Sequence, residues 1–186
     1  MTDEVLKDSE QKMVKTVESF QMELTHIRTG RANPSLLDGI KVDYYGAEVP
    51  INQVASISIP EPRTIAIQPW EKGMAGKIEK AILKSDLGIT PNNDGSFIRL
   101  NIPALTEERR KDLVRMVRKT AEDFRVSVRN IRRDANEQLR KAEKSSDISE
   151  DELKRTQSKV QDLTDKYVRE IDNFLLDKEK EIMEGN

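Results

Sequence analysis

With 186 residues, 35% of them charged and only 4% aromatic, the chain suits long, surface-rich helices and two small cores better than one aromatic-filled globule. Its 32 Lys and Arg against 34 Asp and Glu leave a net charge of −2, which argues against indiscriminate nucleic-acid binding, and zero cysteines exclude disulfides, thiolate catalysis and Cys-ligated zinc. No apolar run approaches the ~18 residues of a membrane span, and the polar start Met1-Thr2-Asp3-Glu4 lacks the features of a signal peptide, so a cytoplasmic protein with no membrane association is expected.

From Thr2 to Thr29, Leu6, Met13, Val17, Phe20, Leu24 and Ile27 recur at sevens, threes and fours, which predicts a first long helix. His26, the only histidine, has no Asp, Glu or His at ligand spacing and reads as a helix-surface residue. Gly30 suits a left-handed helix cap and Pro34 disfavours helical geometry at Asn33, so a joint is expected across Thr29-Gly30-Arg31-Ala32-Asn33-Pro34.

Between Arg31 and Pro103 the period becomes two. Ile40, Val42 and Tyr44, then Ile57 and Ile59, Ile65 and Ile67, and Ile98, Leu100 and Ile102 predict half-buried strands, with turns at Tyr45-Gly46-Ala47, Pro60-Glu61-Pro62 and Asn93-Asp94-Gly95. Met74, Ile78 and Ile82 predict one amphipathic helix, capped by Gly88. The segment holds eight basic and eight acidic residues, so it would act by contact and not by charge.

Leu105 to Lys144 predicts a second long helix, with Thr106 as N-cap and Glu107 and Glu108 complementing the dipole of the first turn. Its core seam is expected along Val114, Val117, Ala121, Phe124, Val128, Ile131 and Ala135. A basic stripe of Lys111, Arg115, Arg118, Arg125, Arg129 and Arg132 runs beside it, interrupted by Glu122. Ser149 with Glu152 reads as a capping box opening a third long helix to about Glu184, with its seam on Leu153, Val160, Leu163, Tyr167, Ile171, Phe174 and Ile182. These elements predict an α+β fold: an elongated antiparallel three-helix bundle of residues 1–30 and 105–186 that carries an inserted small β/α/β domain, 31–104.

Enzyme motifs are missing from the sequence. No Gly-x-Gly-x-x-Gly follows a strand, Gly76-Lys77 is followed by Ile78 where a phosphate loop needs Ser or Thr, and no His-Glu-x-x-His occurs. Carboxylate clusters such as Glu150-Asp151-Glu152 are explained by helix capping and solvation. Catalytic residues, metal ligands and cofactors are therefore expected to be none.

The basic stripe remains. Lys and Arg on an exposed helix usually only solvate it, but between Arg109 and Lys144 there are 13 basic against 6 acidic residues. Arginine, which makes planar bidentate phosphate contacts, dominates at Arg125, Arg129, Arg132 and Arg133. Residues at four-residue spacing, Arg125 and Arg133 about Arg129, and Val128 and Asn136 about Arg132, offer no acidic partner, so these charges are expected to be free of intrahelical ion pairs. An RNA-facing edge is the physical reading. Its alternative is a helical scaffold or chaperone with a merely solvated basic face, which few apolar residues outside the seams support. A carboxylate ribonuclease would need a metal-dependent activity that no motif signals.

Four blocks sharpen this reading: Ile27-Arg28-Thr29-Gly30-Arg31-Ala32-Asn33-Pro34-Ser35-Leu36-Leu37, Ser85-Asp86-Leu87-Gly88, Leu105-Thr106-Glu107-Glu108-Arg109-Arg110-Lys111, and Val128-Arg129-Asn130-Ile131-Arg132-Arg133-Asp134-Ala135-Asn136. In order and separation they resemble the bacterial-type ribosome recycling factor family across the whole chain. The resemblance implies an L-shaped molecule about the size of a transfer RNA that acts as a monomer. With elongation factor G and GTP it would disassemble the post-termination ribosome, so that subunits, messenger RNA and transfer RNA are reused. It also implies ribosomal RNA of the large subunit as the bundle's partner, with Arg132 and Arg129 matching the RNA-contacting run, Arg133 following, Arg125 on the same edge, and Arg110, Arg28 and Arg31 around the joint. Gly30, Arg31, Pro103, Ala104, Leu105 and Thr106 would form a two-strand hinge.

Overall fold

The computed structural model describes residues 1–184. Helix α1 (Thr2–Thr25) buries Val5, Ser9, Met13, Val17, Phe20 and Leu24 on one face, and the Ser9 hydroxyl is satisfied by the Val5 carbonyl at 2.7 Å. The helix stops at Thr25, short of the expected Thr29. Gly30 does take the left-handed conformation (φ +81°), but five residues beyond the helix end, so it shapes the following segment and caps nothing.

Strands β1 (Lys41–Tyr44) and β2 (Ala47–Pro50) form a hairpin in the register Val42 opposite Val49. Its two-residue turn, Tyr45-Gly46, has both φ values positive, +49° and +88°. Glycine takes that region freely, while a bulky L residue held there stores about 1–3 kcal/mol of strain.

Strand β3 (Ala55–Glu61) runs antiparallel to β4 (Thr64–Pro69) with a bulge between Ser58 and Glu61. The turn therefore falls at Pro62-Arg63 and shares only Pro62 with the expected Pro60-Glu61-Pro62, because proline is tolerated at the edge of a sheet and the strand passes through Pro60. Helix α2 (Ala75–Lys84) ends at Ser85, whose N–H and hydroxyl both donate to the Ile82 carbonyl. Gly88 lies too far on to cap it. Strands β5 (Asn92–Asn93) and β6 (Ile98–Asn101) complete a four-stranded sheet of order β3-β4-β6-β5. Their connection is not the tight Asp-Gly turn. Asp94 accepts from the Ser96 and Phe97 N–H groups at 2.9 and 2.7 Å, which organises a longer loop. The core lies between sheet, hairpin and helix: Ile65, Ile67, Ile78, Ile82, Ile98 and Leu100 are all fully buried.

Helix α3 (Glu107–Lys144) begins where expected, with the Thr106 hydroxyl accepting from Arg109 N–H at 3.1 Å. At 38 residues and ~1.5 Å per residue it is about 57 Å long. It closes through Ser146 in the left-handed region (φ +63°) and a hydrogen bond from Asp147 N–H to the Ala142 carbonyl at 2.9 Å. Helix α4 (Glu150–Glu184) then starts on Ser149, whose hydroxyl accepts from Glu152 N–H.

Two compact units result, one of Met1–Thr25 with Lys111–Lys180 and one of His26–Arg110 with the chain from Glu181 on. The expected boundaries, Gly30/Arg31 and Ala104/Leu105, lie five and six residues inside the second unit. In the first unit α1, α3 and α4 pack as three helices. Phe20 of α1 meets Phe124 of α3 at a ring separation of 5.3 Å, and Val5, Leu139 and Val160 share one cluster. The buried line of α3 is Leu113, Val117, Ala121, Val128, Ala135, Leu139 and Ala142, while the expected Val114, Phe124 and Ile131 are half-buried. In α4, Thr156, Val160, Thr164, Tyr167, Ile171, Leu175, Lys178 and Ile182 are buried, with Leu153, Leu163 and Phe174 at the flanks. A helix that touches two neighbours buries a face wider than one three-four line. No helix among the described residues is long and apolar enough to cross a membrane.

Candidate nucleic-acid interface

Arg118, Arg125 and Arg132 recur at sevens on α3, and so do Asp165, Asp172 and Glu179 on α4. The antiparallel pairing of the two helices brings the rows together. Arg118 Nε donates to Glu179 Oε1 at 2.7 Å, and Arg125 Nε donates to Asp172 Oδ1 at 2.7 Å. Arg132 Nη1 donates to Gln161 Oε1 at 3.2 Å, and Gln161 passes the contact on to Asp165 at 2.9 Å. Much of the basic stripe is thus a zipper within the bundle.

Arg125 is the most committed member. Its side chain is 18% exposed and also donates to Glu122 Oε2 at 2.9 Å. Burial disfavours its charge, but the bonds to Asp172 and Glu122 outweigh that and hold its pKa above the ordinary value. Arg118, exposed, has its pKa raised by its bond to Glu179. Arg129 reaches Glu122 Oε1 at 3.3 Å, so the expected absence of intrahelical ion pairs does not hold. Seven residues span about 10 Å of helix, within reach of two long side chains on one face.

The edge grades along its length. Arg132 meets a neutral amide, which leaves its charge uncompensated, and Arg133 is exposed with no ion pair among the described residues. Arg129 is 42% exposed and shares its carboxylate with Arg125. These three present positive charge to solvent, while Arg125 is engaged by Asp172 and Glu122.

The other expected RNA contacts, Arg28, Arg31 and Arg110, lie in the second unit. Arg28 lines an open cavity of about 360 Å³ with Lys84, Asp38 and Asp86, Arg31 is exposed, and Arg110 is half-buried with its Nε lacking a partner. Within that unit both chain crossings are pinned to one turn: Ala32 N–H donates to the Pro62 carbonyl and Ile102 N–H to the Arg63 carbonyl, each at 2.7 Å. Of the expected hinge residues, Gly30 is buried, Leu105 half-buried, and Arg31, Pro103, Ala104 and Thr106 exposed. The acidic partners Asp172 and Glu179 were missed by reading α3 alone. Matching seven-residue spacings on the two helices are the signal that finds them. No group of His, Asp or Glu suited to hold a metal occurs among the described residues.

The profile of the ribosome recycling factor family matches residues 20–183. The chain belongs to the ribosome recycling factor family. It is 57% identical to the ribosome-recycling factor of Bacillus subtilis over 99% of this chain and all of that one, and 58% identical to that of Listeria welshimeri over the same shares. Among solved structures, the solution structure of a ribosome recycling factor superposes with a TM-score of 0.79 at 45% identity, covering 98% of this chain and 97% of that one. A second neighbour has a TM-score of 0.67 at 47% identity and covers 98% of both chains. It comprises the T. thermophilus ribosome recycling factor and E. coli elongation factor G bound to the E. coli post-termination complex. Membership makes the chain a non-enzymatic translation factor whose role is ribosome recycling.

Proposed function

We propose that the chain works in the cytoplasm as a monomer. Together with elongation factor G and GTP, it splits the post-termination ribosome by docking its helical unit on large-subunit ribosomal RNA and using its β/α/β unit as a lever. The observation that carries this reading is the grading of the arginine edge. Arg132, Arg133 and Arg129 keep charge available for phosphates, while Arg125 is spent on holding α3 to α4. Family membership supports the ribosome as partner, and the solved neighbour seen with elongation factor G on a post-termination complex supports the second factor. Arg110, Arg28 and Arg31 are secondary contacts in this reading.

Motion follows from the two crossings. Each is pinned to the Pro62-Arg63 turn by its own backbone hydrogen bond, so both enter the β/α/β unit at one place. Residues 26–31 on one side and Pro103, Ala104, Leu105 and Thr106 on the other absorb the rotation, with Gly30 already in a left-handed conformation. Force applied to the lever is then delivered to RNA held by the arginine edge.

Breakdown of polysomes tests this directly. Purified chain with elongation factor G and GTP is expected to convert post-termination polysomes to subunits, and omitting any one component is expected to stop it. Polysome breakdown without the elongation factor, or none with all three, would refute the reading.

A further inference from the structure

The charged rungs between α3 and α4 share one register. Each seven-residue step along α3 is answered by a seven-residue step back along α4, so Arg118 meets Glu179 and Arg125 meets Asp172, both at 2.7 Å. Continuing that register sets Arg132 opposite Asp165. The third rung nevertheless contains no direct ion pair. Arg132 Nη1 donates to Gln161 Oε1 at 3.2 Å, and Gln161 Nε2 donates to Asp165 Oδ1 at 2.9 Å. A neutral amide stands between the two charges that the register would otherwise bring together.

Hydrogen-bond chemistry fixes how that amide lies. A guanidinium only donates and an ionised carboxylate only accepts, so both bonds form in one orientation, with Oε1 toward Arg132 and Nε2 toward Asp165. Asp165 thereby anchors the amide, and the amide holds the guanidinium with a neutral oxygen. The difference matters to an incoming anion. At Arg118 or Arg125 a phosphate would have to displace a carboxylate, whereas at Arg132 it competes with one neutral acceptor, the weaker kind of bond. Gln161 and Asp165 are both exposed, so neither is needed to fill the core. Resting on the function proposed above, we infer that Gln161 is a positioning residue for the RNA contact: it keeps Arg132 off Asp165, and so leaves the charge of that arginine available to a ribosomal phosphate. Gln161 touches no RNA in this scheme and acts through Arg132.

Pelleting on ribosomes across a salt series tests this in the full chain. In Gln161→Ala the arginine closes on Asp165. Binding is expected to weaken by about fivefold, the scale of an exposed ion pair, and the salt dependence to fall by about one phosphate contact. Adding Asp165→Asn should restore both. Adding Asp162→Asn instead, the same change of net charge at a neighbouring exposed acid, should restore neither. In an Arg132→Ala background, Gln161→Ala should cost nothing further. If Gln161→Ala binds as the wild type does while Arg132→Ala binds weakly, the spacer is overturned and the arginine contact stands. A loss that Asp165→Asn fails to restore, or that persists in the Arg132→Ala background, overturns the spacer too, because Gln161 would then be acting on the bundle or on RNA directly. Unchanged binding by Arg132→Ala would bring down the RNA-facing edge and this inference together.

Discussion

Arg125 and Arg133 lie two turns apart on α3 and differ in their partners. Arg125 is held by Asp172 and Glu122, so Arg125→Ala should cost about 1–2 kcal/mol of stability, discounted for its partial exposure, and be visible in urea unfolding. Arg132→Ala and Arg133→Ala should leave unfolding almost unchanged, weaken ribosome binding, and lower its salt dependence. Equal losses of folding and binding in the Arg132 and Arg133 variants would place those residues in the bundle's own network instead. The sequence shows four arginines in a row on one face. It does not show which are neutralised, because Asp172 and Gln161 belong to another helix and Glu122 acts across two turns.

Glu71 gives a second prediction at this scale. Its pKa is lowered by the hydroxyls of Tyr44 and Tyr45, so its share of stability is present above the ordinary carboxylate pKa and is lost as pH falls through the lowered value. Tyr44 and Tyr45 are raised above their ordinary 10.0 by the same bonds, so their share is present below that value and is lost as pH rises through the raised ones. The latch therefore holds across neutral pH and opens at both extremes. Tyrosinate absorbance should show all three tyrosines titrating above 10.0, with Tyr167 raised first by burial. Glu71→Ala should return two of them towards the ordinary value and leave Tyr167 raised. Three unmoved titrations would remove Glu71 as their cause.

At the scale of elements, the helices were legible because their apolar residues keep a three-four rhythm over many turns, and Thr106 and Ser149 mark their starts. What was not legible is how many neighbours each helix has. Leu113, Leu139 and Ala142 were absent from the expected seam because a line fitted to one neighbour drifts off a core shared by two. Buried Thr164 escaped for a different reason: its hydroxyl is satisfied by the Val160 carbonyl of its own helix at 2.8 Å, which a hydropathy pattern cannot register. The short strand β2 carries Glu48 and exposed Ala47 and has no alternation to read. If the three-helix core is as described, Leu139→Ala, fully buried, should cost about 2–5 kcal/mol. Val126→Ala, exposed on the same helix, should stay within about 0.5 kcal/mol. Similar costs for both in denaturant unfolding would contradict the assigned face.

For the whole molecule, the family was legible from four sequence blocks. Gly30 and Pro103 mark breaks in local structure, but compactness depends on contacts made elsewhere: the 62–63 turn draws Ala32 and Ile102 to itself, and Thr29 donates to Glu181 at 3.0 Å across 152 residues of sequence. A lever needs both units intact and free to turn, and the absence of cysteine allows rotation to be blocked with a single engineered pair. The decisive measurement compares ribosome splitting by light scattering for several such cysteine pairs, one residue in each unit, oxidised and then reduced, with pelleting on ribosomes measured in parallel. The account predicts that oxidation leaves binding largely intact, abolishes splitting with elongation factor G and GTP, and that reduction restores it. Splitting at the normal rate by oxidised protein in every orientation locked would contradict the lever.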